Sequence, residues 1–138
     1  MRIKSLKLFI KQKKIEIEQL SADMAPLQER MQKLEQELQE NEKKIQALQE
    51  QPVQQLFDLT LMHNHIADLQ AQNEKIKAKI QKLHEEIFAY KKRLAELFGQ
   101  KKGLEKLLQR IKEEQRKKAH QEENRLADEN YLRKIHTP

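Results

Sequence analysis

The sequence predicts an all-α fold, an antiparallel two-helix coiled-coil hairpin with a projecting C-terminal helix. Three observations carry this prediction. An apolar seam recurs at alternating steps of three and four residues, the period of a helix that buries one stripe against another helix. The seam breaks once, around Pro52. It then resumes and ends at Ile111, well before the C-terminus.

Upstream of the break the seam comprises Ile3, Leu6, Ile10, Lys13, Ile17, Leu20, Met24, Leu27, Met31, Leu34, Leu38, Asn41, Ile45 and Leu48. Helix 1 is therefore expected over about residues 3–50, roughly 70 Å at the usual rise per residue. Pro26 lies inside it, at heptad position c when Ile17 and Met24 are a and Leu20 and Leu27 are d. That position faces away from the partner helix. Proline removes one helical hydrogen bond and crowds the preceding turn, so a kink near Ala22–Pro26 is expected. The seam keeps phase from Leu20 through Met24 to Leu27, which favours a kink over a break.

The turn lies in Glu50-Gln51-Pro52-Val53-Gln54-Gln55, at about residues 51–54. Proline disfavours helix in the residue before it and is well tolerated in the first turn of the next helix. Helix 2 follows over about residues 54–134, roughly 120 Å if straight. Its seam comprises Leu59, Met62, Ile66, Leu69, Asn73, Ile76, Ile80, Leu83, Ile87, Tyr90, Leu94, Leu97, Lys101, Leu104, Leu108 and Ile111. Gly99 and Gly103 both fall in this helix, with Lys101 and Lys102 between them. A weak spot or bend is expected there rather than membrane-type helix packing.

With a tight turn, residue 48 sits opposite roughly residue 58, so that residue i faces roughly residue 106 − i and Ile3 faces about Gly103. Beyond Ile111 the positions in phase are Gln115, Lys118, Glu122, Arg125 and Glu129, and only Leu132 is apolar again. Helix 2 is therefore expected to project, without an intramolecular partner, from about residue 112. Lys13, Asn41, Asn73 and Lys101 interrupt the seam and are expected to fix its register at a cost in stability.

Composition agrees with this plan. The chain has 138 residues, 36% charged and 4% aromatic, with two glycines and no tryptophan. One domain of long solvated helices fits these values; a globule with an enclosed core does not. The chain contains no cysteine, which excludes disulfides, thiolate metal sites and cysteine nucleophiles. No apolar run approaches the roughly 20 residues of a membrane span. At the N-terminus Lys7 and Lys11 bracket Leu8, Phe9 and Ile10 too closely for the core of a signal peptide. A cytoplasmic protein without direct membrane insertion is expected, reaching membranes through partners. The net charge of +6 is uneven: residues 1–14 hold six bases and no acid, whereas residues 112–138 hold seven bases and six acids. An end-localised charge favours an acidic docking site over a uniform nucleic-acid surface.

Nothing in the chain assembles into a catalytic set. His63 and His65 point to different helix faces, and His84-Glu85-Glu86 lacks the second histidine of a zinc-protease helix, so no metal site is expected. There is no glycine-rich phosphate loop, and the only serines are Ser5 and Ser21, so neither a cofactor nor an enzymatic activity is expected. Leu56, Phe57, Leu59, Leu61 and Met62 form the densest apolar patch, beside the turn. A two-helix seam can bury Leu59 and Met62 but not Phe57 and Leu61, which leaves a binding tip or local packing as readings. Phe9, Phe88 and Phe98 are expected to trim the core, with Phe9 and Phe98 able to meet near the open end. On the tail, Leu126, Tyr131, Leu132 and Ile135 make a sparse stripe that is either a docking face or a fraying helix end. The run Arg110, Lys112, Arg116, Lys117 and Lys118 is interleaved or flanked by Glu113, Glu114, Glu122 and Glu123, and lacks an aromatic platform. It reads as a solvated face rather than a nucleic-acid site.

The C-terminal segment resembles that of the FliJ family of flagellar export proteins and the related YscO-type injectisome stalk proteins. The likeness rests on Leu104-Glu105-Lys106-Leu107, on Arg110, on a mixed-charge helix through Glu122, Glu123 and Arg125, and on Asp128-Glu129 followed by Arg133. The basic start SLKLFIKQKK and the two-helix plan extend it over essentially the whole chain. The resemblance implies a stalk of type III secretion whose paired ends enter the hexameric ring of a secretion ATPase. It also implies contacts with the export gate membrane protein and with secretion chaperones. On that reading Arg110, Arg116, Arg125, Asp128, Glu129 and Arg133 face the ATPase, and Phe57, Leu61, Met62 and His65 face the gate. Pro26 within helix 1 departs from the straight shaft that the family implies. Two other functions are carried alongside: a homo-oligomeric coiled-coil scaffold joined through the tail, and a nucleic-acid-binding arm like the helical hairpins of some tRNA synthetases.

Overall fold

The computed structural model describes residues 2–52 and 55–136. Val53 and Gln54, part of the expected turn, lie outside the described residues. Two helices make up the chain, α1 (Arg2–Glu50) and α2 (Leu56–His136). Every named seam position is buried or half-buried, and among the described residues only Glu16 and Leu107 join them from outside the seam. This is the result expected of helices that each offer one stripe to one partner.

The chain divides into two compact units, Glu18–Leu94 and Met1–Ile17 with Ala95–Pro138, and both helices contribute to each. In the first unit the register is set by a direct contact. Asn41 Nδ2 donates to Asn73 Oδ1 at 3.0 Å, and both residues are buried. Their numbers sum to 114. The same sum pairs Leu48 with Ile66, Ile45 with Leu69, Leu38 with Ile76, Leu27 with Ile87 and Leu20 with Leu94, always a seam residue against a seam residue. Position a of one helix thereby meets d of the other. The expected sum of 106 is thus corrected by eight residues.

The physical reason lies at the turn. Residue 64 of α2 is level with Glu50, the last residue of α1, yet α2 begins at Leu56. Its first two turns therefore overrun α1, by about 12 Å. Met62 pairs there with Pro52, and both line one cleft with Leu48. Backbone groups at the junction are satisfied locally: the Gln51 amide donates to the Leu48 carbonyl at 3.4 Å, and the Leu59 amide to the Gln55 carbonyl at 3.1 Å. Asp58 places a carboxylate in the first turn of α2, where the helix dipole favours negative charge.

In the second unit the burial of both seams keeps the same phase, and a sum of 114 would set Ile17 against Leu97, Leu6 against Leu108 and Ile3 against Ile111. Leu97 is fully buried, and Leu6, Ile17 and Ile111 are buried. Lys13 falls opposite Lys101, a like-charge layer. Lys101 is drawn aside to Glu105 at 3.7 Å and keeps 26% of its side chain exposed, so its charge stays in water while its stem fills the seam.

Helix α1 runs unbroken through Pro26, which is exposed, so water can satisfy the carbonyl left without a donor. Helix α2 runs through Gly99 and Gly103, where an added Cβ would meet nothing within 4 Å. Neither glycine is required for close packing. Phe9, Phe88 and Phe98 do not trim the core; they are 51%, 65% and 54% exposed. In the observed register Phe9 is at g and Phe98 at e, on opposite flanks of the seam, which prevents their meeting.

Candidate partner interface

Two exposed regions hold the residues expected to meet partners. The first is the C-terminal part of α2. From Lys112 to Ile135 every side chain is exposed, and the change comes immediately after buried Ile111. In-phase glutamine, lysine, glutamate and arginine cannot extend an apolar stripe. The helix here is held by charge pairs along its own surface. Arg125 donates to Glu122 at 2.5 Å and to Glu129 at 2.6 Å, bridging one turn in each direction. The bond from Arg125 holds the Glu122 carboxyl below its ordinary range, with only slight opposition from desolvation. Glu122, and then Glu129, hold the Arg125 guanidinium above its ordinary range.

Of the six residues expected to face an ATPase, all are exposed. Arg125 and Glu129 are in contact. Arg133 follows Glu129 at the same four-residue spacing, which completes an alternating strip with Glu122. Arg110 and Arg116 lie off that strip by helical spacing, whereas Asp128, three residues from Arg125, borders it. Glu122 belongs to the strip although it was not among the expected site residues; its three-residue spacing from Arg125 was the available signal. Leu126, Tyr131, Leu132 and Ile135 are between 47% and 66% exposed, an unusual apolar share for a charged helix.

The second region is the tip. Leu56, Phe57 and Leu61 are exposed, Leu56 most of all at 79%, while Leu59 and Met62 are half-buried. Leu61, Met62 and His65 line one open cleft of about 470 Å³ with Leu48, Gln51, Pro52 and Asp58. The structure thus brings together three of the four residues expected to face an export gate and leaves Phe57 outside the cleft. Leu56, not among those four, is the most exposed apolar residue at the tip among the described residues.

Among the described residues no group of three His, Asp or Glu side chains is placed to hold a metal ion, and no helix is long and apolar enough to cross a membrane. Comparison with protein-family models finds no match, and neither curated proteins nor solved structures give a significant one.

Proposed function

We propose that this chain is a non-enzymatic stalk and escort protein of a type III secretion apparatus, cytoplasmic and peripheral to its membrane-embedded parts. On this reading α1 and the N-terminal two-thirds of α2 satisfy one another. The helix beyond Ile111 projects and docks on a hexameric secretion ATPase through Arg110, Arg116, Arg125, Asp128, Glu129 and Arg133. The tip, through Phe57, Leu61, Met62 and His65, is the side for the export gate, and secretion chaperones are further partners. One observation supports the proposal: burial along α2 ends at Ile111, and every side chain from Lys112 to Ile135 is exposed. A helix left over at the open end of a self-satisfied pair is the geometry that a ring-inserting stalk requires. The choice of the secretion ATPase as partner comes from the resemblance of the C-terminal segment.

The test is the activity of a cognate export ATPase with and without this chain. Stimulation and co-purification are expected, and Arg116→Ala with Arg125→Ala should weaken binding by roughly tenfold or more, as arginines at interface centres do. Absence of both stimulation and co-purification overturns the proposal. A stable homodimer at low micromolar concentration would favour the scaffold reading instead, because the exposed Leu126, Tyr131, Leu132 and Ile135 would then be covered by a second copy.

A further inference from the structure

The outer face of the first four turns of α1 carries a second pattern, independent of the seam. With Ile3, Ile10 and Ile17 at a, position f lies diametrically opposite the buried stripe. Leu8 and Ile15 occupy it, 57% and 44% exposed. Phe9, next to Leu8, is 51% exposed. Packing against α2 requires none of these three. Beside the f stripe, positions b and e are all lysine, Lys4, Lys7, Lys11 and Lys14, and all four are exposed. Ser5 and Gln12 lie on its other side, and no acid precedes Glu16.

We propose that this face binds an anionic lipid surface. The segment lies in the plane of the headgroups, with Leu8 and Ile15 entering the boundary with the acyl chains, Phe9 at the edge of that strip, and the lysines reaching the lipid phosphates. A basic helix with a narrow apolar strip is the pattern that binds in this way. The occupant follows from complementarity. Five bases lie on or beside the exposed face of residues 2–14 (Lys13 being in the seam), so two copies would bring like charges together. A nucleic acid would answer the lysines but leave Leu8 and Ile15 in water. An anionic bilayer answers both. The proposal is independent of the stalk reading, because lipid alone tests it and an ATPase assay tests the other.

The experiment is co-sedimentation of the full chain with vesicles of phosphatidylcholine, with and without about one-third phosphatidylglycerol, at about 0.1 M salt. Binding to the anionic vesicles only is expected. Replacing all four lysines by glutamine should weaken partitioning several hundredfold, at roughly fivefold for each basic residue near such a surface. Leu8→Ser with Ile15→Ser should weaken it by roughly tenfold for each side chain. Both are surface changes, and unchanged helicity by circular dichroism verifies the fold. Because the chain lacks tryptophan, Leu8→Trp gives an unambiguous reporter. Its emission should shift to the blue with anionic vesicles. Failure to bind them, an unshifted Trp emission, or full binding by the double serine variant overturns the proposal; the last result would mark a charge-only face for an acidic protein.

Discussion

The Asn41–Asn73 layer is the sharpest place to perturb this protein. Both amides are buried, at 5% and 6% exposure, and joined by one 3.0 Å hydrogen bond. Replacing Asn41 alone by leucine strands the Asn73 amide, at about 1–3 kcal/mol. The new leucine returns about 1.5–3 kcal/mol through its own burial, so the single variant should be close to neutral. Replacing both residues removes a bond worth about 1 kcal/mol and strands nothing. The double variant should therefore be more stable than the parent by about 2–5 kcal/mol, from the burial of two leucines. The resulting coupling between the two positions is twice the stranding cost less the one lost bond, about 1–5 kcal/mol.

That gain should come with a loss of specificity. A slip of seven residues keeps both seams facing, but it sets Asn41 against Ile66 and Asn73 against Leu34, or else Asn41 against Ile80 and Asn73 against Leu48. Two stranded amides hold such slips about 2–6 kcal/mol above the native register. Urea denaturation of the four variants measures the coupling. Because the chain has no cysteine, Ile45→Cys with Leu69→Cys reports the register alone, through its oxidative cross-link. The yield should fall when both asparagines are replaced. A coupling below about 0.5 kcal/mol, or an unchanged cross-link yield, would refute the assignment of register to this pair.

Other outcomes follow from the same packing. Leu97→Ala, at a fully buried seam position, should lower stability by about 2–5 kcal/mol in thermal or urea unfolding. Gly99→Ala and Gly103→Ala should each raise it by about 0.8–1 kcal/mol, since a methyl group meets nothing and the helix loses two flexible points. The Glu122–Arg125 contact should stabilise the C-terminal helix at neutral pH and fade in acid. Glu122 has a depressed folded-state pKa, so its contribution is complete above the unfolded value and disappears as pH falls through the folded one. Carboxyl NMR titration of Glu122 should show an ordinary glutamate value in Arg125→Gln; an unchanged value would remove the arginine as the cause.

Much of the architecture is legible before any coordinate is known. The two stripes follow from periodicity, because a long helix with one partner buries only residues that recur near every half-heptad. The end of the seam at Ile111 is equally plain, since Gln115, Lys118 and Glu122 cannot occupy a dry interface. The set of permitted registers was readable too, from heptad phase rather than from the length of the turn. In an antiparallel pair a meets d, so the two numbers must sum to 114 or differ from it by a multiple of seven. A sum of 106 sets seam against flank. Of the permitted sums near it, 114 pairs Asn41 with Asn73 and Lys13 with Lys101 together. The candidate interface was less legible. Phe9, Phe88 and Phe98 look like core by residue type, and only their heptad positions in the observed register put them outside. At the tip the heptad pattern already separates half-buried Met62 from exposed Leu61, but not the cleft that both line with Pro52 and Leu48.

By itself the sequence determined two helices, the stripe each one buries and the residue at which burial ends. Those features depend on a helical period and on side-chain polarity, which are local properties. Tertiary structure decided which of the registers seven residues apart is adopted, and with it the eight-residue overrun at the turn. It also decided the satisfaction of each buried asparagine by the other. These depend on how far α2 climbs past the end of α1, a distance that no single helix encodes and that the pairing of two matched polar layers selects.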